Sequence, residues 1–157
     1  MSDPGRHDRA GARIFVLRLL EAEVPEIAAG AVQVRHIARE PGLGTKVAVS
    51  SSQPGIDPVD ACMGPEGARH RSLKAKLGNE DLDIVQWDAE PQKFVAAALG
   101  PATVVDSDTR TARIGVSRDQ LALAIGRNGQ NARLAAKLTG WTLDIKPAEN
   151  GVAKAHT

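Results

Sequence analysis

A tetrapeptide of the form G-x-x-G occurs twice in this 157-residue chain, and the sequence around it repeats as well. Gly64 and Gly67 recur as Gly126 and Gly129, at an offset of 62 residues. A Leu-Asp-Ile tripeptide follows each copy at a nearly constant distance. One G-x-x-G arises readily by chance, but flanks that recur in register indicate two copies of one structural unit.

The repeat predicts how the chain is divided. We expect a first domain over residues 13–87 and a second over residues 88–147. The segments 1–12 and 148–157 are polar and contain Gly, Ala or Pro, so we predict that they are disordered tails. Each domain shows the same order of periodic segments: helix, strand, strand, helix, helix, strand. The predicted fold class is therefore α+β, with two three-stranded sheets covered by helices.

Local signals place several boundaries. The first helix is predicted over residues 13–23. In the second domain, Ser117 is predicted to cap a helix over 118–125, on which Leu121 and Ile125 share one face. Gly140 is predicted to end the helix that follows the second G-x-x-G.

Composition excludes several classes of function. The single cysteine, Cys62, cannot form an internal disulfide, and with four scattered histidines it makes no zinc pattern. We therefore predict no metal, no cofactor and no enzymatic activity. Aromatic residues are only 3% of the chain, which argues against base-stacking sheets and barrels. No apolar run approaches the length of a membrane span, so we predict a cytoplasmic protein.

Charge is distributed unequally between the two repeats, although the whole chain carries only +1. Residues 57–87 hold four Lys/Arg against six Asp/Glu, whereas residues 118–146 hold five against two. Because phosphate contacts supply much of the affinity for nucleic acid, the second repeat is the better candidate for such a partner. Glu66, inside the first G-x-x-G, adds a negative charge where a phosphate would lie.

A glycine-flanked turn between two helices suits a sugar-phosphate backbone. Glycine permits unusual dihedral angles and close approach of another chain. The helix that follows presents backbone N–H groups and its positive dipole end at the same point. A turn of this kind clamps about four nucleotides in KH domains.

At this point a family resemblance is evident. Gly64-Pro-Glu-Gly67 and Gly126-Arg-Asn-Gly129, each between two helices and followed by a closing strand, resemble the loops of tandem type II KH domains. More narrowly, the chain resembles the KH region of the NusA transcription elongation and termination factor family over residues 13–147. The stretches that carry this resemblance are Glu23-Val-Pro-Glu-Ile27, Ile37-Ala-Arg-Glu-Pro41, Thr45-Lys-Val-Ala-Val49, Asp57-Pro-Val59, Phe94-Val-Ala-Ala-Ala-Leu99 and, most specifically, residues 123–141.

The resemblance implies a single-stranded RNA-binding protein that modulates transcription elongation, termination or antitermination. RNA is the expected partner, with RNA polymerase or transcription factors as candidates, and no membrane or small-molecule substrate is implied. The expected RNA-binding residues of the second domain are Gly126, Arg127, Asn128, Gly129, Gln130, Asn131, Arg133 and Lys137. Those of the first are Gly64, Pro65, Gly67, Arg69 and Lys46.

Two alternatives remain open from the sequence. The family's N-terminal polymerase-binding domain and RNA-binding barrel do not occur in this chain, so we interpret it as a KH-only form for which docking through that domain is not implied. It could then act on ribosomal or messenger RNA away from polymerase. Alternatively, the acidic first repeat permits a degenerate form that serves as a protein-interaction module.

Overall fold

Two separate three-stranded sheets, one in each half of the chain, organise the protein. The computed structural model describes residues 4–100 and 102–148. The chain divides into two units after Trp87. The α+β class is therefore confirmed, with the predicted order of elements recurring in both units.

In the first unit, the central strand is flanked by one antiparallel and one parallel neighbour. Strand β2 pairs antiparallel with β1 and parallel with β3. The parallel pairing follows from the helical segment that connects β2 to β3. The elements are α1 (Pro4–Glu23), α2 (Pro25–Ala28), β1 (Val32–Glu40), β2 (Gly44–Ser51), α3 (Pro58–Met63), α4 (Ala68–Lys76) and β3 (Asp81–Gln86).

The second unit repeats this topology. Strand β5 is central, antiparallel to β4 and parallel to β6. Helix α5 packs against α7. The elements are α5 (Pro91–Leu99), β4 (Thr103–Asp108), β5 (Thr111–Ser117), α6 (Leu121–Ile125), α7 (Gln130–Thr139) and β6 (Thr142–Ala148).

Each unit has its own apolar core between sheet and helices. Branched aliphatic side chains dominate both cores, which suits strands that pack under helices. In the first unit the core includes Val16, Leu20, Val24, Val47, Val49, Cys62, Leu73 and Ile84. In the second unit the buried apolar residues include Phe94, Val95, Leu99, Ile114, Val116, Leu134 and Leu138.

The first helix is longer than the sequence predicts. It begins at Pro4 and not at residue 13, so residues 4–12, predicted to be part of a disordered tail, are helical. Burial of Val16 and Leu20 anchors the helix. Extending an anchored helix costs little per residue, and proline suits its first turn. The tail predicted over residues 148–157 begins later, because Ala148 is the last residue of β6. Residues 1–3 and 149–157 lie outside the described residues.

The predicted start of α6 is wrong by three residues. The helix begins at Leu121 and not at residue 118, and Ser117 is not its cap. Ser117 instead continues β5, where it pairs with Ala148, and its carbonyl accepts the N–H of Gln120 at 2.9 Å. Sheet pairing therefore takes precedence over the local capping preference at this position.

Over residues 4–100 and 102–148, no helix is both long enough and apolar enough to cross a bilayer.

Candidate nucleic-acid interface

The two G-x-x-G loops have the same backbone conformation, although their central residues differ. Each forms a 3₁₀ turn between two helices. Three of the four positions have positive φ in both loops: Gly64 (74°), Glu66 (54°) and Gly67 (74°) in the first, and Gly126 (82°), Asn128 (55°) and Gly129 (76°) in the second. The predicted duplication therefore extends to the dihedral angles of the loop.

The first glycine of each loop is required by close packing as well as by its dihedral angles. A Cβ atom on Gly126 would lie 2.7 Å from the backbone nitrogen of Asn131. A Cβ on Gly64 would lie 2.6 Å from Cγ of Arg69. Any side chain at these positions would push the loop away from the helix that follows it.

The second glycine of each loop caps the following helix. Gly67 precedes α4 and Gly129 precedes α7, both in the left-handed conformation. Neither glycine has a side chain to cover the N–H groups of the first helical turn. Because those N–H groups carry the positive end of the helix dipole, the turn favours an anion such as a phosphate.

The second loop presents a cationic, exposed tip. Arg127 and Asn128 are exposed. Neither the loop nor helix α7 contains an acidic residue, and the next one along the chain is Asp144. Of the other predicted site residues in this unit, Arg133 and Lys137 are exposed, whereas Gly126, Gly129, Gln130 and Asn131 are partly buried. The structure thus brings the predicted residues of the second unit together around one loop and the first turns of α7.

Two of these predicted residues are used by the fold itself. The side-chain nitrogen of Asn131 donates to the carbonyls of Leu99 (2.9 Å) and Ala124 (2.8 Å), and so ties α7 to α5 and α6. Nη1 of Arg133 donates to the carbonyl of Asn128 at 2.5 Å. Both donor bonds of the Asn131 amide nitrogen therefore lie within the protein, and the expected contact of Asn131 with RNA stays a prediction.

The first loop lies in acidic surroundings. Pro65 and Glu66 are exposed at its tip. The guanidinium of Arg69, predicted to face RNA, instead donates to Glu26 (2.9 Å) and to the carbonyl of Ala61 (2.7 Å). The adjoining open cleft of about 630 Å³ is lined by Arg69 and four carboxylates, those of Glu26, Asp57, Asp60 and Glu66. Arg69 is therefore paired within the protein and its charge is offset by Glu26, so its expected contact with RNA stays a prediction that this pairing weakens.

Lys46 is also not part of an exposed surface. It lies in the central strand β2, opposite Asp83 of β3, and its ammonium contacts the Asp83 carboxylate at 2.5 Å. Its side chain is 2% exposed. Strand alternation places Lys46 on the face of the sheet opposite the core residues Val47 and Val49, and there its side chain is buried and paired with Asp83. Lys46 therefore does not present a free ammonium to a ligand in this structure, and its expected contact with RNA stays a prediction.

We expect the substitution Lys46→Met to leave RNA affinity within about twofold of the unsubstituted chain. The Lys46 ammonium is already neutralised by Asp83, so no phosphate contact is lost, and methionine fills a similar volume. Fluorescence anisotropy with a single-stranded RNA measures this. A tenfold or greater loss of affinity would show that the Lys46–Asp83 pair opens to the ligand.

Sequence reasoning missed an apolar surface beside the second loop. Leu123 is 66% exposed and Ile125 is 36% exposed, on the helix α6 that leads into Gly126. Only Ala124 of this helix is fully buried. Leu121 and Ile125 are predicted to share one face, but every position of Leu-Ala-Leu-Ala-Ile is apolar, so the pattern does not indicate which face is buried. Exposed aliphatic side chains next to a turn that favours anions are suited to apolar contacts with nucleobases.

The thiol of Cys62 is chemically inert in this structure. Cys62 is buried in the first core, and burial raises the pKa of its thiol to about 11, with Glu26 adding to the effect. A thiol of this kind is protonated at neutral pH and is a poor nucleophile. Within the described ranges, no group of three or more His, Cys, Asp or Glu side chains is arranged to hold a metal ion.

Comparison with known proteins agrees with this geometry. The model for the NusA-like first KH domain matches residues 12–87, and the model for the NusA-like second KH domain matches residues 91–152. Transcription termination/antitermination protein NusA of Thermus thermophilus is 48% identical over 135 residues, which are 83% of this chain and 35% of that protein. The corresponding protein of Bacillus subtilis is 47% identical over 133 residues, 82% of this chain and 36% of that protein.

The relatives are longer proteins, and this chain spans about a third of the length of those two. Among solved structures, the crystal structure of APE1850 has the same fold, with a TM-score of 0.56 and 22% identity over 83% of this chain and 96% of that one. The two matched domains occur here in the order first, then second, each around one G-x-x-G loop. The chain therefore belongs to the NusA-like KH domain family and carries its first and second KH domains in tandem.

Proposed function

We propose that this protein binds single-stranded RNA chiefly through its second KH domain, and that it modulates transcription elongation, termination or antitermination. The observation that carries the proposal is the second loop, in which a glycine-capped helix start lies beside an exposed cationic tip, Arg127. The exposed side chains of Leu123 and Ile125 provide an apolar surface next to it. Backbone N–H groups and Arg127 would hold phosphates, and the apolar surface would contact bases.

The first KH domain takes a smaller part in this proposal. Its loop has the same backbone shape, but Glu66 stands at the tip and the nearby cation, Arg69, is paired with Glu26. A negative charge where a phosphate would bind weakens the affinity for RNA, just as the positive charge of the second loop strengthens it. We therefore expect the two domains to contribute unequally, although they are duplicates.

The salt dependence of binding tests the RNA-binding part of the proposal. A KH loop that clamps about four nucleotides neutralises roughly three or four phosphates. For single strands this predicts a slope of about −2 to −3 for log affinity against log salt concentration. Fluorescence anisotropy with a labelled single-stranded RNA from about 50 to 300 mM salt measures the slope. Binding that is absent, or that does not respond to salt, would contradict the proposal.

The transcriptional role requires a separate experiment. The relatives' name links them to termination and antitermination, so we expect this chain to change the position or efficiency of termination on a purified transcription system. The matched control is the same reaction with Gly129→Asp. An RNA-binding chain that leaves termination unchanged and does not co-purify with RNA polymerase would instead favour a role on ribosomal or messenger RNA.

A further inference from the structure

We infer that Arg133 is a positioning residue for RNA binding: its guanidinium holds the second G-x-x-G loop in shape and does not itself contact the RNA. Arg71 has the corresponding position in the first domain. The inference about RNA rests on the proposed function, whereas the structural part concerns the free protein alone.

The same contact occurs in both domains. Nη1 of Arg133 donates to the carbonyl of Asn128, and Nη1 of Arg71 donates to the carbonyl of Glu66, each at 2.5 Å. Each arginine is the fourth residue of the helix that follows its loop and lies five residues beyond its acceptor. A contact that recurs with identical atoms and spacing in two duplicated units is a property of the motif.

The acceptor is the loop residue whose backbone most needs support. Asn128 and Glu66 have φ of 55° and 54°, in the left-handed region that side-chain-bearing residues rarely occupy. A hydrogen bond from a guanidinium to the carbonyl of such a residue stabilises that conformation. The loops' other positive-φ positions are glycines, which need no such support.

The arginine also lies against the second glycine of each loop, whose left-handed φ is what favours glycine there. A Cβ on Gly129 would lie 3.3 Å from Nη1 of Arg133, and a Cβ on Gly67 would lie 3.4 Å from Nη1 of Arg71. The guanidinium therefore passes close to the glycine and reaches the carbonyl of the residue that precedes the glycine in the chain. Because the contact persists in the first domain, where the tip is acidic, it serves the loop conformation independently of the charge that the loop presents.

Amide hydrogen exchange in the free protein tests the positioning role. The Gly129 N–H donates to the carbonyl of Gly126 at 3.0 Å, and the Gly67 N–H donates to that of Gly64 at 3.0 Å, so each reports whether its loop is closed. Arg133→Lys keeps the charge but lacks the planar fork of donors. We expect exchange at Gly129 to become about tenfold faster in Arg133→Lys, and exchange at Gly67 equally so in Arg71→Lys.

RNA binding supplies the second measurement. Arg133→Lys should raise the dissociation constant for a single-stranded RNA by about tenfold while leaving its salt slope unchanged, because no phosphate contact is lost. Arg127→Gln is the matched control: we expect a salt slope shallower by about 0.7 and unchanged exchange at Gly129. Amide spectra away from the loop establish that each variant is folded.

Three outcomes would overturn the inference. Unchanged Gly129 exchange in Arg133→Lys would show that the contact does not hold the loop, whatever happens to affinity. Faster exchange with unchanged affinity would show that the loop shape is not needed for binding. A shallower salt slope in Arg133→Lys would show direct phosphate contact. If the unsubstituted chain fails to bind RNA, the proposed function fails, and exchange in the two lysine variants still decides whether the arginines hold the loops.

Discussion

Gly129→Asp should raise the dissociation constant for single-stranded RNA by about 100-fold, whereas Gly67→Asp should raise it by no more than about threefold. The two substitutions are closely matched. Both glycines are left-handed helix caps, with φ of 76° and 74°, and both lie beside the guanidinium of the arginine four residues on. Each variant therefore adds the same charge and the same backbone strain to one of two duplicated loops.

The difference in effect follows from which loop receives a phosphate. At Gly129 the new carboxylate would occupy the proposed phosphate-binding position of the cationic loop. It would also compete with the Asn128 carbonyl for the guanidinium of Arg133. At Gly67 the new carboxylate would lie in a loop that already contains Glu66. This loop adjoins a cleft lined by three further carboxylates. Loss of several phosphate contacts accounts for a change of about 100-fold.

Gly140→Asp provides the control for strain and charge in the second domain. Gly140 ends α7 with φ of 77° and so shares the backbone conformation of Gly129 at the opposite end of the same helix, and a Cβ there would meet Nη1 of Arg110 at an ordinary contact distance of 4.0 Å. We expect its RNA affinity to stay within about threefold of the unsubstituted chain. Loss of binding in Gly67→Asp with binding intact in Gly129→Asp would reverse the assignment of the two domains.

Glu80→Ala should lower the free energy of unfolding of the first domain by about 3–5 kcal/mol. The Glu80 carboxylate is buried and accepts four hydrogen bonds: two from Arg39 (2.8 and 3.1 Å), one from the Thr45 hydroxyl (2.8 Å) and one from the Gly42 N–H (3.1 Å). Its removal leaves a largely buried guanidinium without its counter-charge. It also releases the β1–β2 turn from the start of β3.

Urea unfolding followed by tryptophan fluorescence measures this effect. A Trp141→Phe background leaves Trp87, in the first unit, as the single reporter. Asp81→Asn is the matched control, because the carboxylate of Asp81 is next to Glu80 in sequence but is exposed and lies 3.9 Å from the Lys74 ammonium. This substitution should change the free energy of unfolding by less than about 0.5 kcal/mol. Equal, small effects of Glu80→Ala and Asp81→Asn would show that the buried network contributes little.

The same network predicts the response to acid. Burial alone would raise the pKa of Glu80, but the hydrogen bonds from Arg39, Thr45 and Gly42 and the charge of Arg39 outweigh it, so the pKa lies below the ordinary 4.5. Stabilisation by Glu80 is therefore fully present above pH 4.5 and is lost as the pH falls through its lowered pKa. In Glu80→Gln we expect a flatter decline of first-domain stability below pH 4.5.

The duplicated motif and the elements around it could be predicted from the sequence because their signals are local. Glycine at a left-handed turn, proline at a helix start and alternating apolar residues in a strand each act within a few residues. The family resemblance strengthened the prediction of KH domains, and the matches to both NusA-like models confirm it. The errors at Pro4 and Ser117 arose where distant packing and sheet pairing overrode such local preferences.

The candidate site was predicted less completely, because a charged side chain does not indicate in sequence which atom it will meet. Lys46, Arg69 and Asn131 all have the chemistry of nucleic-acid contacts, yet each is tied to a partner 37, 43 or 32 residues away. Conversely, Leu123 and Ile125 are apolar residues of the kind expected in a core, yet their side chains are exposed. Only the tertiary arrangement decides between these roles.

Short-range dihedral and hydrophobic preferences were therefore enough to predict the two repeats, the order of their elements and the position of the glycine loops. Which cations face solvent and which are neutralised became known from the folded chain, because ion pairs form between residues that are distant in the sequence. The folded chain also showed that Arg71 and Arg133 reach back to the loops before them. That contact depends on the path of a folded side chain, which residue type and spacing do not specify.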